Sequence, residues 1–283
     1  MRLVNRSKYS IILTILTIQF FTILCIISMK VDLGRRIRFF RKRADMSQFN
    51  LEIATGLASG VISRIETNQV NPNKETVLAI AKILELNNKE IDYLIGITAL
   101  PPTNEEIEKA KKEAAEILNQ RGKLAYLLDE RWRFLMISNT FKKLLRVMPQ
   151  ELEYAIGRTT MQVIVEPDSP VMKRVDKNFQ EELLKIYLPQ YYSYISYMDD
   201  DAIYQGTVNA ILRNSGARKI WTELTQKKVR KYTPEEDLVI HFDIFGFKIP
   251  LYYSMRALSK HSRFEIVEYH TKNRVLDLIP SLV

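Results

Sequence analysis

From Asp32 to Ile95 apolar residues recur at spacings of three and four in short stretches separated by capping and turn residues, a pattern that suits a packing of short helices. Asp32 can cap a first helix carrying Leu33, Ile37 and Phe40 and ending near Asp45. Ser47 can cap a second, carrying Phe49 or Leu51 and Ala54, and Gly56 supplies the turn that follows. A third helix is expected from about Ala58 to Thr67, its Val61, Ile62 and Ile65 placed to meet the core. Asn71-Pro72-Asn73 then closes it as a loop. Val77, Ile80, Ala81 and Leu84 mark a fourth helix, and Ile91, Leu94 and Ile95 a fifth. Five short helices in so little chain predict an all-α domain, with bounds at residues 29–100.

Upstream, residues 1–28 hold an apolar segment. Ser10 to Ser28 is 19 residues without a charge, preceded by Arg2, Arg6 and Lys8. That is transmembrane length, and no small-residue cleavage site follows it. Lys30, Arg35, Arg36, Arg38, Arg41, Lys42 and Arg43 on its C-terminal side would leave the following domain in the cytoplasm. Two readings stand: a membrane anchor, or an upstream start codon ahead of a working protein that begins at Met29. The second is favoured, because only Met29 to Asp32 would separate an anchor from the first helix. The expected location is cytoplasmic and nucleoid-associated, with membrane anchoring only if residues 10–28 are translated and inserted. The 42 Lys and Arg against 33 Asp and Glu give a net charge of +9, which suits an anionic partner without choosing between nucleic acid and acidic membrane. A lone cysteine, Cys25, excludes an internal disulfide and any paired-cysteine redox or zinc motif, and fits a reducing compartment.

The string MSQFNLEIATGLASGVISRIETNQVNP resembles the Cro and phage-repressor type of helix-turn-helix, the XRE family of bacterial transcription regulators. It carries Gln48 and Leu51 three apart, Gly56 eight residues after Gln48, Ile62 and Glu66 four apart, and the loop proline Pro72. The likeness covers Leu33 to about Ile97. It implies double-stranded DNA as partner, usually bound by a homodimer. Carried over residue by residue, Gln48 would bind phosphate, Ser59, Gly60 and Arg64 would face bases, and Arg41 with Glu66 would form an ion pair joining the first and third helices. A helix in the major groove offers base edges only its outer, N-terminal side chains, which adds Ser63; Asn68 is counted with the DNA-facing group. Arg64 is the best candidate for reading sequence, since a guanidinium can bond two acceptors of guanine at once. Two residues depart from the family. Gly60 has no side chain where a base is usually read, and Glu52 stands where a small residue is preferred and is expected to tilt outward.

After Leu100, Pro101-Pro102 breaks the chain, and Asn104 to Gln120 reads as a charged linker helix within residues 101–122. Its stripe of Ile107, Ala110, Ala114 and Ile117 fits either a dimer seam or packing onto its own domain. Residues 123–283 mix strands and helices. Arg131 to Ile137 alternates, with Trp132, Phe134 and Met136 on one face, and Asn139 to Val147 reads as a helix containing Phe141. Leu238 to Ile244 alternates with Ile240 and Phe242 on one face, Gly246 offers a turn into Lys248 to Leu258, and Phe264 to His270 forms a further strand. Lys177 to Met198 and Ala202 to Ser215 look helical. The layout predicts an α+β domain with one antiparallel sheet. Together with LLDERWRFLMISNTFKKLL, ILRNSGARKIW and FGFKIPLYYSMRALSKHSRFEIVEYHTK, it resembles the PAS-like ligand-binding domain of MmyB-type regulators over Leu124 to Asn273. The resemblance implies a sensor for a small apolar ligand. Trp132, Phe134, Met136, Phe141, Ile240 and Phe242 are the candidate pocket residues.

An enzyme finds little support. The chain lacks HExxH, a Walker loop, GxSxG and GxGxxG, and His241, His261 and His270 lack metal-ligand spacing, so no catalytic residue, metal or cofactor is expected. His241 and Asp243 share a strand face that is expected to be solvated, and Asp199, Asp200 and Asp201 read as an exposed loop. The expected function is sequence-specific regulation of transcription, modulated by a small apolar ligand. The alternative is a membrane-anchored DNA-binding regulator whose C-terminal domain serves dimerisation or protein interaction.

Overall fold

The computed structural model describes residues 32–173, 175–226, 239–244 and 247–271. The apolar run Ser10–Ser28, Leu238 and Gly246 lie outside the described residues, as do the side chains of Ile240, Phe242 and Asp243. Among the described residues no helix is long and apolar enough to cross a membrane. The chain divides into two compact units, with the boundary between Ile97 and Thr98.

The first unit is helical: α1 (Leu33–Arg43), α2 (Gln48–Thr55), α3 (Val61–Glu66), α4 (Lys74–Ile83) and α5 (Asn88–Leu94). Side-chain caps open four of them: Asp32, Ser47, Asn73 and Asn87 each accept a backbone N–H of the first turn, relieving donors that a helix end leaves unpaired. Ile37, Phe40, Leu51, Ile62, Ile65, Ile80 and Leu94 form the core. Leu51 takes the inward position of α2, while Phe49 and Ile53, one turn apart, are 62% and 64% exposed. Tyr93 is buried where Ile95 was expected, because α5 presents the neighbouring face. The third helix begins at Val61, three residues later than its sequence pattern suggests, and Ser59 and Gly60 form the turn ahead of it. Gly60 has φ +79°, a left-handed conformation that side chains resist, so a glycine there meets a backbone requirement.

The second unit opens with α6 (Asn104–Leu118), followed by β1 (Leu124–Asp129) and β2 (Phe134–Ile137). A helical insertion comes next: α7 (Asn139–Leu144), α8 (Pro149–Ala155), α9 (Thr160–Val165), α10 (Pro170–Lys173), α11 (Lys177–Ile195), a 3₁₀ turn at Ser196–Met198, α12 (Ala202–Arg213) and α13 (Ser215–Gln226). The chain then returns to the sheet in β3 (Val239–Ile244), β4 (Phe247–Ala257) and β5 (Phe264–His270). All neighbours are antiparallel, in the order β2-β1-β5-β4-β3. This is an α+β unit.

The helix expected as a linker belongs to this sheet. Ala110, Ala114 and Leu118 of α6 are fully buried against Ala125, Leu127, Leu135, Phe264 and Ile266, so its apolar stripe is covered within one chain. The first strand differs from expectation. β1 is buried at every position, since α6 covers one face and the helical insertion the other, and such a strand shows no alternation to read. Trp132 is not in a strand: it has φ 61° in the turn between β1 and β2, and the pairing slips between Leu127 and Leu128. Those two irregularities undo the common face expected of Trp132, Phe134 and Met136.

In the helical unit α1 crosses α3 at Gly34. A Cβ at that position would lie 2.3 Å from the Ile65 carbonyl oxygen and 3.0 Å from the Glu66 carbonyl carbon, both backbone atoms. Gly34→Ala should therefore destabilise the unit by about 1–3 kcal/mol, as overpacking does. Chemical denaturation of both proteins should show the loss as a lower midpoint at unchanged slope.

Candidate functional site

Two places bring unusual chemistry together, one in each unit. In the first, Arg41 and Glu66 form a bidentate pair, with Nε to Oε1 at 2.6 Å and Nη2 to Oε2 at 2.9 Å. Both side chains are almost wholly removed from water. Arg41 Nη1 also donates to the Met46 carbonyl at 2.7 Å, and Gln48 donates its amide to Glu66 Oε2 at 2.8 Å. One carboxylate thereby ties α1, the first residue of α2 and the last residue of α3 into a single charge-assisted network.

Glu52 departs from its expected place. It is only 5% exposed, and its Oε1 accepts the Ile62 backbone N–H at 3.0 Å. The reason lies eight residues away: Gly60 stands at the N-cap of α3 and has no side chain with which to cap it. The carboxylate of Glu52 supplies the missing acceptor from α2 and meets the positive end of the helix dipole. The substitution that looked intrusive in the sequence thus completes the helix it packs on.

The remaining first-unit candidates are distributed as follows. Ser59, Gly60 and Arg64 are exposed, Ser63 and Gln48 are half-buried, and Arg64 Nε folds back to the Gly60 carbonyl at 3.3 Å. Asn68 is exposed but turned inward along the chain, with φ 57° and its amide donated to Asp32 Oδ1 at 2.9 Å, so its geometry serves the α1–α3 junction. Burial works to raise the Asp32 carboxyl, and the hydrogen bonds from Asn68 and the Arg35 N–H outweigh it, holding the group below the usual carboxylate range. The basic run on α1 splits in use. Arg36 lies over the Tyr93 ring, Arg41 pairs with Glu66 and Arg43 with Glu90, whereas Arg35, Arg38 and Lys42 are exposed.

The second unit contains a cavity of about 690 Å³ between the sheet and the helical insertion. That volume is in the range of small-molecule sites, roughly 300–1,000 Å³. Phe134 of β2 and Phe141 of α7 line it, with Ile137, Leu152, Val163 and Leu183 among their apolar neighbours. Trp132 does not: it meets Tyr191 edge-on at 5.8 Å and lies against Tyr194. Met136 does not either, and packs instead against the core under α6. His241, expected on a plain polar face, is exposed at the cavity edge with Nδ1 3.5 Å from Glu182. The sequence pattern missed Tyr126, Tyr187 and Tyr269, whose hydroxyls meet at 3.2 Å (Tyr126 to Tyr269) and 2.6 Å (Tyr187 to Tyr269). Burial pushes all three phenols upward, further from the neutral range in which a phenol is in any case a protonated hydrogen-bond donor.

The acidic run is also corrected. Asp201 is buried rather than exposed: it caps α12 and pairs with Arg131 Nε at 2.7 Å. Arg131 is 1% exposed, bonded also to Glu130 and to the carbonyls of Thr98 and Ala99 at 3.1 and 3.2 Å. Arg263 bonds Glu130 and Glu106 beside it. Among the described residues no group of three or more His, Cys, Asp or Glu could hold a metal ion. No protein-family model and no curated protein matches the chain.

Removing Glu66 would leave the Arg41 guanidinium buried with only a carbonyl, and breaking a buried pair costs about 3–5 kcal/mol. Glu66→Ala is therefore expected to lower the melting temperature sharply, whereas Glu52→Ala, which removes a cap, should cost about 0.5–2 kcal/mol. Thermal unfolding of the two variants side by side checks both the order and the size.

Proposed function

We propose that the chain is a sequence-specific transcription regulator that binds duplex DNA through α2 and α3, and that its second unit senses a small, mainly apolar molecule. The observation that carries this reading is the Arg41–Glu66–Gln48 network, which ties Gln48 at the start of α2 to the end of α3, where Arg64 is exposed, as is Ser59 in the turn ahead of that helix. In this reading the first unit is a Cro- and phage-repressor-type helix-turn-helix, and α3 enters the major groove by its N-terminal end. The Gln48 amide has two N–H donors; one goes to Glu66, which orients the other toward a phosphate. Arg64 exchanges its weak 3.3 Å contact with the Gly60 carbonyl for guanine acceptors. Since Gly60 and the short α3 leave few side chains for base edges, DNA shape contributes to selectivity. A homodimer on two half-sites about 34 Å apart fits this motif. Arg35, Arg38 and Lys42 add a salt-sensitive attraction to the duplex.

Footprinting on the DNA upstream of the chain's own gene would identify an operator. On that site Arg64→Ala should cost about 1–3 kcal/mol and on random DNA little, while Gln48→Ala weakens both alike. Fluorescence anisotropy with the two duplexes separates these outcomes, and equal losses for Arg64→Ala would reduce its contact to phosphate.

For the second unit, the support is the cavity and its apolar lining within an α+β frame read as PAS-like. Ala155 is buried and lines the cavity, so Ala155→Phe should fill it and remain folded. The variant should bind DNA normally yet lose any response to an apolar ligand. A loss of roughly 1–3 kcal/mol in stability, the size typical of overpacking, would instead show that the space closes in solution.

A further inference from the structure

Ile97 ends the first unit and Thr98 begins the second, and residues 98–100 belong to no helix or strand. Their three carbonyls are nevertheless all taken by guanidinium donors. Arg131 Nη2 bonds those of Thr98 at 3.1 Å and Ala99 at 3.2 Å, and Arg263 bonds that of Leu100. The two arginines share the Glu130 carboxylate, and Arg131 also pairs with Asp201. Arg131, Glu130 and Asp201 are all buried. Connecting segments ordinarily run free over the surface, whereas this one is held by a desolvated, charge-assisted network.

The same network reaches the cavity wall from its other side. Arg131 stands in the β1–β2 turn, and the next carbonyl, that of Trp132, accepts the Thr160 N–H at 2.9 Å, while Arg133 pairs with Thr159 in a β-bridge. Thr159 caps α9, which lines the cavity with Val163 and Ile164. Phe134, directly after the turn, lines it as well. A second strut starts at Asp201, the N-cap of α12: further along that helix the Thr207 hydroxyl lies 3.0 Å from that of Thr159, both fully buried. Trp132 holds φ 61°, a conformation that a bulky residue resists, so the turn keeps its shape only through its surroundings. A shift of α9 therefore bears on Arg131 twice, through its own turn and through its partner Asp201.

On the reading of the second unit as a sensor, we propose that Arg131 couples occupancy of the cavity to residues 98–100, the segment that joins the second unit to the first. A molecule in the cavity packs against Val163 and Ile164 and supports α9. The helix then holds the β1–β2 turn and Asp201 where the guanidinium reaches both carbonyls. Without that support the turn yields more often, and residues 98–100 open more readily.

The test uses the full chain and Nile red, an uncharged dye whose emission rises when it leaves water. Fluorescence titration reads occupancy. Thermolysin cleavage within residues 94–100, identified by fragment mass and expressed relative to cleavage elsewhere in the second unit, reads opening of the segment. Saturation with the dye should slow that cleavage at least about fivefold, the lower end of couplings between linked sites. A lysine offers one point charge and no fork, so Arg131→Lys can keep Asp201 but not both carbonyls. It should be cut faster without the dye, still bind it, since Arg131 does not line the cavity, and show no slowing. Asp201→Asn is the second variant: it keeps an acceptor for the Ile203 and Tyr204 N–H groups, removes the charge that positions Arg131, and should lose the response likewise. A purely structural role for Arg131 would leave the slowing in place in both variants, and that result overturns its assignment. An unchanged rate in the dye-saturated wild type overturns the coupling and leaves the cavity as a ligand site. If the dye does not bind, the sensor reading falls and the coupling with it.

Discussion

A guanidinium cannot leave water unless its fan of N–H donors finds acceptors, and the described residues bury three: Arg36, Arg41 and Arg131. Each finds partners remote in sequence, and so each dictates which segments must meet. Arg36 of α1 bonds the Tyr93 carbonyl of α5 and lies on the Tyr93 ring. Arg41 joins α1 to the end of α3 and, through Glu66, to the start of α2. Arg131 fastens the β1–β2 turn to the N-cap of α12 and to the carbonyls of Thr98 and Ala99. Apolar burial makes these units collapse, but it is non-directional. The buried arginines select one arrangement, because any other leaves a desolvated charge uncompensated.

The first unit also shows how two departures from a sequence pattern cancel. Gly60 can adopt a left-handed backbone that other residues resist, at the cost of leaving α3 without a capping side chain. Glu52 lies in the neighbouring helix and reaches the Ile62 N–H, filling that role from outside α3. Read singly, the glycine looks like a lost contact and the glutamate like a misfit. Together they keep α3 short, capped and held at its far end by Arg41.

In the second unit the sheet separates two kinds of packing. Toward α6, small and branched side chains close into a dense layer of Ala110, Ala114, Leu127 and Ile266. On the opposite face, Tyr126 and Tyr269 stand in register-related strands, their hydroxyls joined to Tyr187 of α11. The helical insertion covers this face without filling the interval, which leaves the cavity.

Local information sufficed for much of this. Asp32, Ser47, Gly56 and Asn73 punctuate the first unit because capping and turn chemistry act within a few residues, and the spacing from Gln48 to Glu66 marks α2 and α3. The antiparallel sheet was legible in the strand read at Phe264–His270 and in the run now seen as β3 and β4. Where two surfaces cover one segment the signal disappears. β1, buried on both faces, has no period, and Trp132 in its left-handed turn breaks the period of its neighbours. For the same reason Tyr126 and Tyr187 look like ordinary core residues, Asp201 like loop and Glu52 like an intruder. A hydrogen-bond partner 10 to 143 residues away leaves no mark on local pattern, so the chain alone marked the helices of the first unit, α6, α7, α11, α12 and the strands other than β1. Only tertiary packing decided which polar groups meet, and where the cavity lies.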